Sequence, residues 1–259
     1  MSALCIDDIH LFFQTVGDPA NPCLVLSNSL GTDLHMWDAQ ASALSSDFHV
    51  VRYDTRGHGQ SERGSSPLDI DRLGHDVIAL LDHLAIERAH FCGISMGGLT
   101  GQWLGIHAPE RIDKLVLANT SARIGSAEAW NTRAALVRSD GMDSVADGAA
   151  ARWFSQAFIE RDPKTAARMI EGLRRQSPSG YAACCDALAQ ADLRGSVATI
   201  SADTLIIAGR HDPVTTIGDA EWLVAQVSGA RMSVVEASHL SNIEASEDFN
   251  TILRRFLPG

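Results

Sequence analysis

The segment Gly93-Ile94-Ser95-Met96-Gly97-Gly98 sets a serine between glycines at the spacing G-x-S-x-G. It follows a strand-type run, Ala89-His90-Phe91-Cys92, and precedes a helix-type segment through Leu99, Trp103 and Ile106. A serine at such a strand-to-helix turn is forced outward, and small residues two positions away on each side let neighbouring chains come close. The helix start behind it offers free N–H groups and a positive dipole end to a developing oxyanion. The chemistry this allows is nucleophilic attack on an acyl carbon. A glycine-rich turn with an incidental serine would explain the bare motif, but the strand before and the helix after weigh against that.

A serine hydroxyl needs a base to take its proton. In nucleophile-elbow enzymes the chain order is serine, acid, histidine. Asp212 lies in the turn Gly209-Arg210-His211-Asp212-Pro213, directly after the apolar run Leu205 to Ala208. His239 lies in Ala237-Ser238-His239-Leu240, after Met232 to Val235. The chain has 10 histidines, but eight of them come too early for this order, and His211 shares its turn with Asp212. Asp219 and Glu236 are rival acids, though neither directly follows a buried strand. The elbow also predicts the oxyanion donors. One is the backbone N–H of Met96, after the nucleophile. The other is the Leu30 N–H, in the loop Ser27-Asn28-Ser29-Leu30-Gly31 that follows Cys23 to Leu26.

The elements that must position these groups alternate. Cys23 to Leu26, His49 to Tyr53, Ala89 to Cys92 and Leu115 to Ala118 read as buried strands. Ile70 to Leu84 has helical spacing at Leu73, Val77, Leu80, Leu81 and Leu84. From about Ser121 to Ile200 the strand signals vanish and helical patterns take over. They return at Thr204 to Ala208 and Met232 to Val235, and Phe249 to Phe256 fits a last helix. This predicts an α/β fold, a mostly parallel sheet with helices on both faces. Residues 1–120 and 201–259 would form the core, with 121–200 inserted as a helical cap. An insertion there would sit over the strand C-terminal edge, where open α/β sheets bind ligands.

Other chemistries are excluded. Gly57-His58-Gly59 starts a G-x-G-x-x-G pattern, but position 62 is Glu62, so the dinucleotide fingerprint fails. No Walker A or H-E-x-x-H sequence occurs, and neither a cofactor nor a metal is expected. The five cysteines include no Cys-x-x-Cys spacing, which suggests neither zinc nor a disulfide framework. Met1 to Asp8 does not resemble a signal peptide, and no 18-residue apolar run occurs. A reducing cytoplasm is therefore the expected compartment. Over 259 residues the formal charge is −11, which argues against nucleic acid or an anionic membrane as partner. None of this defines an oligomeric state, and a homo-oligomer is compatible with it. The loop Asp54-Thr55-Arg56-Gly57-His58-Gly59-Gln60-Ser61 reads as structural, because a glycine-rich turn needs no chemistry to explain it.

These motifs together resemble the α/β-hydrolase superfamily, whose D-x-R-G-x-G-x-S loop matches Asp54 to Ser61. Leu26-Ser27-Asn28-Ser29-Leu30-Gly31-Thr32-Asp33-Leu34-His35-Met36-Trp37 is similar to the oxyanion region of 3-oxoadipate enol-lactonases, with Asn28-Ser29 where many relatives carry His-Gly. Ala208 to Thr215 and Ala237 to Asn242 are similar to that family too, although Thr216 stands where proline is common. The resemblance implies a cofactor-free serine hydrolase of aromatic catabolism, in the protocatechuate branch. It would open an enol-lactone bearing an acetate arm to give 3-oxoadipate. The same machinery could serve another carboxylesterase or lactonase, a C–C hydrolase or a cofactor-free haloperoxidase-like enzyme. A ligand receptor with a retained triad is the non-enzymatic alternative. Ser95 in place of an aspartate disfavours epoxide hydrolases and dehalogenases.

The carboxylate of such a small carboxylate-bearing lactone lies away from the reacting carbon and needs a cation to pair with it. Residues 121–200 carry ten basic and nine acidic side chains, a net of +1, so the rest of the chain holds −12. Within that segment Trp130 and Arg133 are three residues apart, so they can share a helix face. An arginine fork suits a carboxylate. Trp130 and Arg133 are the expected substrate contacts, with Trp153 and Arg138 as weaker candidates.

Overall fold

The computed structural model describes residues 2–257, so the outermost positions of the expected core segments, 1, 258 and 259, lie outside the described residues. Eight strands form one sheet: β1 (Ser2–Ile6), β2 (Ile9–Val16), β3 (Cys23–Ser27), β4 (His49–Tyr53), β5 (Ala89–Ile94), β6 (Ile112–Ala118), β7 (Asp203–Gly209) and β8 (Arg231–Val235). Their spatial order is β1-β2-β4-β3-β5-β6-β7-β8. The pairs β1–β2 and β2–β4 are antiparallel, and every later pair is parallel. The strands β3 and β5 are buried along their whole length, as unbroken apolar runs in a doubly covered parallel sheet should be.

The β1–β2 hairpin was not among the strands expected from the apolar runs. Its turn is Asp7-Asp8, with Asp7 at φ +50°, and its strands mix polar with apolar residues. An edge pair with one wetted face carries only that weak signal.

Helices α1 (Asp38–Leu44), α2 (Ile70–His83) and α3 (Met96–His107) belong to the first half. Six helices lie between β6 and β7: α4 (Ala127–Asp140), α5 (Asp143–Ala146), α6 (Ala149–Trp153), α7 (Gln156–Arg161), α8 (Pro163–Arg174) and α9 (Pro178–Gln190). Side-chain oxygens of Ser126, Ser155, Asp162 and Ser177 cap α4, α7, α8 and α9. Three more, α10 (Ile217–Gln226), α11 (Ser241–Glu244) and α12 (Ser246–Phe256), complete the chain. Among the described residues no helix is long and apolar enough to cross a membrane.

Parallel register brings the strand ends level. Ser27 pairs with Gly93, Ile94 with Ala118, Ala118 with Ile207 and Gly209 with Val235. The loops that follow β3, β5, β6, β7 and β8 therefore emerge along one edge. They carry Leu30, Ser95, Asn119, Asp212 and His239 in turn.

The loop after β4 is fastened at many points. Arg56 forms a buried double hydrogen bond with Asp76 of α2, at 2.9 and 2.5 Å. Asp54 accepts the N–H groups of Leu34 and Gln60, both at 2.8 Å. Burial raises the Asp54 carboxyl to about 6, although those two backbone donors work against the rise. Burial pushes the His58 ring the other way, from 6.5 down to about 4.

These two groups give opposite pH slopes. Below pH 6.5 the unfolded chain protonates its histidine before the folded one does, so His58 costs stability as pH falls toward 4. Between about 6 and 3.8 the folded chain protonates Asp54 first, so that group adds stability as pH falls. Each effect is worth about 3 kcal/mol over its window. Asp54→Asn removes only the second. In urea denaturation the variant should therefore lose about 3 kcal/mol more than wild type between about pH 7 and pH 4. Parallel profiles for the two proteins would contradict this.

Candidate active site

Ser95 lies between the end of β5 and the first residue of α3, at φ +57° and ψ −114°. This left-handed backbone is costly for a residue with a Cβ, and the surroundings hold it in place. The Ser95 N–H donates to Ala118 O at 3.1 Å, Thr120 Oγ1 donates to Ser95 O at 2.8 Å, and Gly97 N–H donates to Asn28 O at 3.0 Å. A Cβ on Gly93 would lie 2.1 Å from Gly97 O, and one on Gly97 would lie 2.4 Å from Ser27 O. Both glycines of the motif are thus required by close backbone approach.

His239 and Asp212 meet at the same edge. The His239 Nδ1 is 2.8 Å from Asp212 Oδ2, and both residues are buried. A carboxylate accepting at that nitrogen keeps the proton on Nδ1 and leaves Nε2 as the free base. Asp212 also accepts from Val214 N–H at 2.7 Å, Thr215 N–H at 3.1 Å, Thr215 Oγ1 at 2.7 Å and Asn119 Nδ2 at 2.9 Å. Burial alone would raise its pKa, but the charge of His239 and the hydrogen bonds from His239, Asn119 and Thr215 outweigh burial and hold it below the ordinary value. The rival carboxylates are engaged elsewhere. Asp219 completes a capping box with Thr216 at the start of α10. Glu236 is exposed and pairs with Arg210 and His211.

Asn119 and Thr215 were not singled out from the sequence. The usable signal for Asn119 is its position directly after β6, level with Ser95 and Asp212 at the sheet edge. Glu244 was missed as well. Its carboxylate accepts the Ser238 N–H at 3.0 Å and the Ser155 N–H at 3.1 Å, tying the His239 loop to the cap helices. The Leu240 N–H donates to Trp153 O at 3.0 Å and adds a second tie.

The N–H groups around the expected oxyanion position are largely committed. Gly31 N–H bonds His58, Thr32 N–H bonds Ser29 O, and Gly97 N–H bonds Asn28 O. Among the described residues, Leu30 N–H and Met96 N–H have no intramolecular acceptor. Met96 is the first residue of α3, where a helix leaves its donors unpaired.

Ser95, His239 and Leu30 line one cavity of about 180 Å³ together with residues of the segment 121–200. The predicted contacts Trp130, Arg133 and Trp153 line it too. The Trp130 indole N–H is anchored on Ile124 O, and the Arg133 guanidinium lies 4.9 Å from the Trp130 ring centroid. Arg138 is a correction. It is five residues beyond Arg133 on α4, which turns it to a different face, and it pairs with Asp186 of α9 at half exposure, away from this cavity. Arg152 and Tyr181 occupy the wall instead, and neither had a motif to betray it. Burial and then the charge of Arg133 lower the Arg152 pKa. Arg152 donates to Val145 O at 2.7 Å, and among the described residues neither Arg133 nor Arg152 pairs with a carboxylate. Arg123, Arg138, Arg174, Arg175 and Arg194 do, whereas Arg161 and Arg168, which also have no carboxylate partner among the described residues, do not line this cavity.

A family model for the α/β-hydrolase fold matches residues 22–246. The chain is 48% identical over 257 residues to 3-oxoadipate enol-lactonase 2 of Acinetobacter baylyi, covering 98% of this chain and 96% of that protein. It is 46% identical to 3-oxoadipate enol-lactonase 1 of the same organism, covering 95% and 92%. Among solved structures it is similar to the enol-lactonase from Burkholderia xenovorans LB400, with a TM-score of 0.97, 42% identity and 99% coverage of both chains. A hydrolase from Pseudomonas aeruginosa PA01 matches with a TM-score of 0.96 and 43% identity, over 100% of this chain and 98% of that one.

With Ser95 as nucleophile, Ser95→Ala should lower kcat by about 10⁶-fold while the thermal transition stays near wild type. It should also abolish covalent labelling by a fluorophosphonate. Turnover near wild type in this variant would remove Ser95 from the chemistry.

Proposed function

Because the chain belongs to the α/β-hydrolase family, we propose that it hydrolyses 3-oxoadipate enol-lactone to 3-oxoadipate through an acyl-enzyme on Ser95. The step belongs to aromatic breakdown by the protocatechuate route. The names of its relatives support the reaction, and the shape of the site supports the substrate.

Ser95 Oγ attacks the lactone carbonyl and its proton passes to His239 Nε2. Asp212 holds the imidazole orientation and stabilises the cation that forms. The N–H groups of Leu30 and Met96 stabilise the tetrahedral oxyanion, each worth a few kcal/mol in such sites. Collapse breaks the ring C–O bond. The leaving enolate takes the proton from His239 and becomes the ketone. Water then attacks the Ser95 ester with His239 as base. The new carboxylate departs, and Ser95 Oγ regains its proton.

One observation carries the substrate reading. Arg133 and Arg152 stand on the wall that also bears Ser95 and His239, and neither has a carboxylate partner among the described residues. Two adjacent guanidiniums in a half-buried pocket repel each other and favour an anion between them. The acetate arm of the lactone supplies that anion while its ring carbonyl reaches Ser95. A neutral ester uses the same nucleophile but gains nothing from the arginines.

Freshly generated 3-oxoadipate enol-lactone should lose its ultraviolet absorbance much faster with the protein than without it. A rate equal to the spontaneous one would sink the substrate assignment. Arg133→Gln and Arg152→Gln should each raise KM for the carboxylated lactone about 10- to 100-fold. The kcat/KM for a neutral ester such as p-nitrophenyl acetate should stay near wild type. An equal loss on both substrates would remove the arginines from carboxylate recognition.

A further inference from the structure

The loop from Asp54 to Ser61 carries no group that reaches the cavity, yet much of its bonding is directed at the oxyanion segment. Asn28 Nδ2 donates to Tyr53 O at 2.8 Å, and Leu34 N–H donates to Asp54 Oδ1 at 2.8 Å, so both ends of residues 28–34 are held. The middle is held by His58. Its Nε2 accepts the Gly31 N–H at 3.0 Å, and the residue is 1% exposed. An acceptor at Nε2 places the ring proton on Nδ1, which faces Arg56 O at 3.5 Å and Cys184 Sγ at 3.8 Å. Burial keeps the ring neutral at pH 7.

The geometry fixes both peptide units that flank Leu30. The Leu30 N–H shares a planar unit with Ser29 C=O, and that oxygen accepts Thr32 N–H at 3.2 Å and Thr32 Oγ1 at 2.7 Å. The next unit, Leu30 C=O with Gly31 N–H, is the one His58 holds. Gly31 has φ +83°, and a Cβ there would lie 2.6 Å from Leu173 Cδ1, so the unit turns tightly beneath the cap.

We propose that His58 is a positioning residue for the oxyanion hole: by accepting the Gly31 N–H it locks the peptide that follows Leu30 and so aims the Leu30 N–H at the reacting oxygen. The idea rests on Leu30 being a donor in the proposed hydrolysis. His58 itself touches neither substrate nor Ser95. Without its acceptor, the Gly31 N–H is buried and unpaired, and only the Thr32 bonds to Ser29 O are left to hold the direction of the Leu30 N–H.

The test compares wild type with His58→Leu and His58→Gln on a matched pair of activated esters, one with C=O and one with C=S at the reacting carbon. An oxyanion hole favours oxygen over the larger, weakly accepting sulfur. His58→Leu should therefore lower kcat on the oxygen ester about 10- to 100-fold with KM nearly unchanged. The oxygen-to-sulfur ratio of kcat/KM should fall with it. His58→Gln, which offers an amide oxygen to Gly31, should recover part of both. A variant that slows both esters equally, or leaves the ratio at its wild-type value, would overturn the proposal. Nitrogen-15 NMR of the wild-type ring gives a readout independent of any variant's folding. An unprotonated Nε2 and a protonated Nδ1 at pH 7 are expected, and the opposite tautomer would overturn the proposal. Fluorophosphonate labelling of wild-type Ser95 separates the two levels. No labelling would remove the hydrolase reading itself, whereas labelling with an unmoved ratio would remove only the role of His58.

Discussion

The backbone of Ser95 is the constraint on which the rest depends. A residue with a Cβ at φ +57° costs on the order of 1–3 kcal/mol, and it holds only where neighbours leave no alternative. Here the neighbours are the chain itself. The Ser95 peptide is tied to β6, Gly97 is pressed against Ser27, and Gly93 is pressed against Gly97. The same approach that strains Ser95 brings the loop after β3 alongside α3. That juxtaposition sets Leu30 and Met96 beside Ser95. A parallel register then delivers Asp212 and His239 from β7 and β8 to the same edge.

Support radiates from this edge in two directions. Toward the cap, Glu244 and the Leu240 N–H join the histidine loop to Ser155 and Trp153. Toward the sheet, Asp54, Arg56 and His58 join the oxyanion loop to α2 and β4. Both ties use buried polar groups whose partners are almost all backbone amides or a single ion pair. Such networks are costly when half satisfied and rigid when complete. Rigidity suits the proposed hydrolysis, since donors that are already aimed need not reorganise during a reaction.

Charge follows the same division of labour. The total of −11 does not oppose an anionic substrate, because most arginines of the segment 121–200 are neutralised by acids of that segment. Among the described residues Arg133, Arg152, Arg161 and Arg168 have no carboxylate partner, and of these four Arg133 and Arg152 line the cavity. Net charge therefore says little here; what matters is which cations lack a carboxylate.

Local chemistry made part of this legible in the sequence. The strand, elbow and helix around Ser95 are consecutive residues, so the motif declares itself without tertiary information. The order of Asp212 and His239 after buried runs is also local, and the long parallel-strand runs set the fold class. The antiparallel hairpin escaped notice because a wetted edge strand carries no continuous apolar run. Asn119, Thr215, Glu244 and Arg152 act through contacts with residues distant in sequence, so no spacing rule reaches them. Arg138 and Arg133 look equivalent as arginines of one helix, but an offset of five positions turns one to Asp186 and the other to the cavity. The sequence by itself determined the strand-turn-helix around Ser95, the candidates Asp212 and His239 after later apolar runs, and the fold class, because those are properties of adjacent residues. Only the tertiary structure decided which arginines line the cavity without a carboxylate and which groups hold the loop of residues 28–34, because both depend on which distant groups have already been paired.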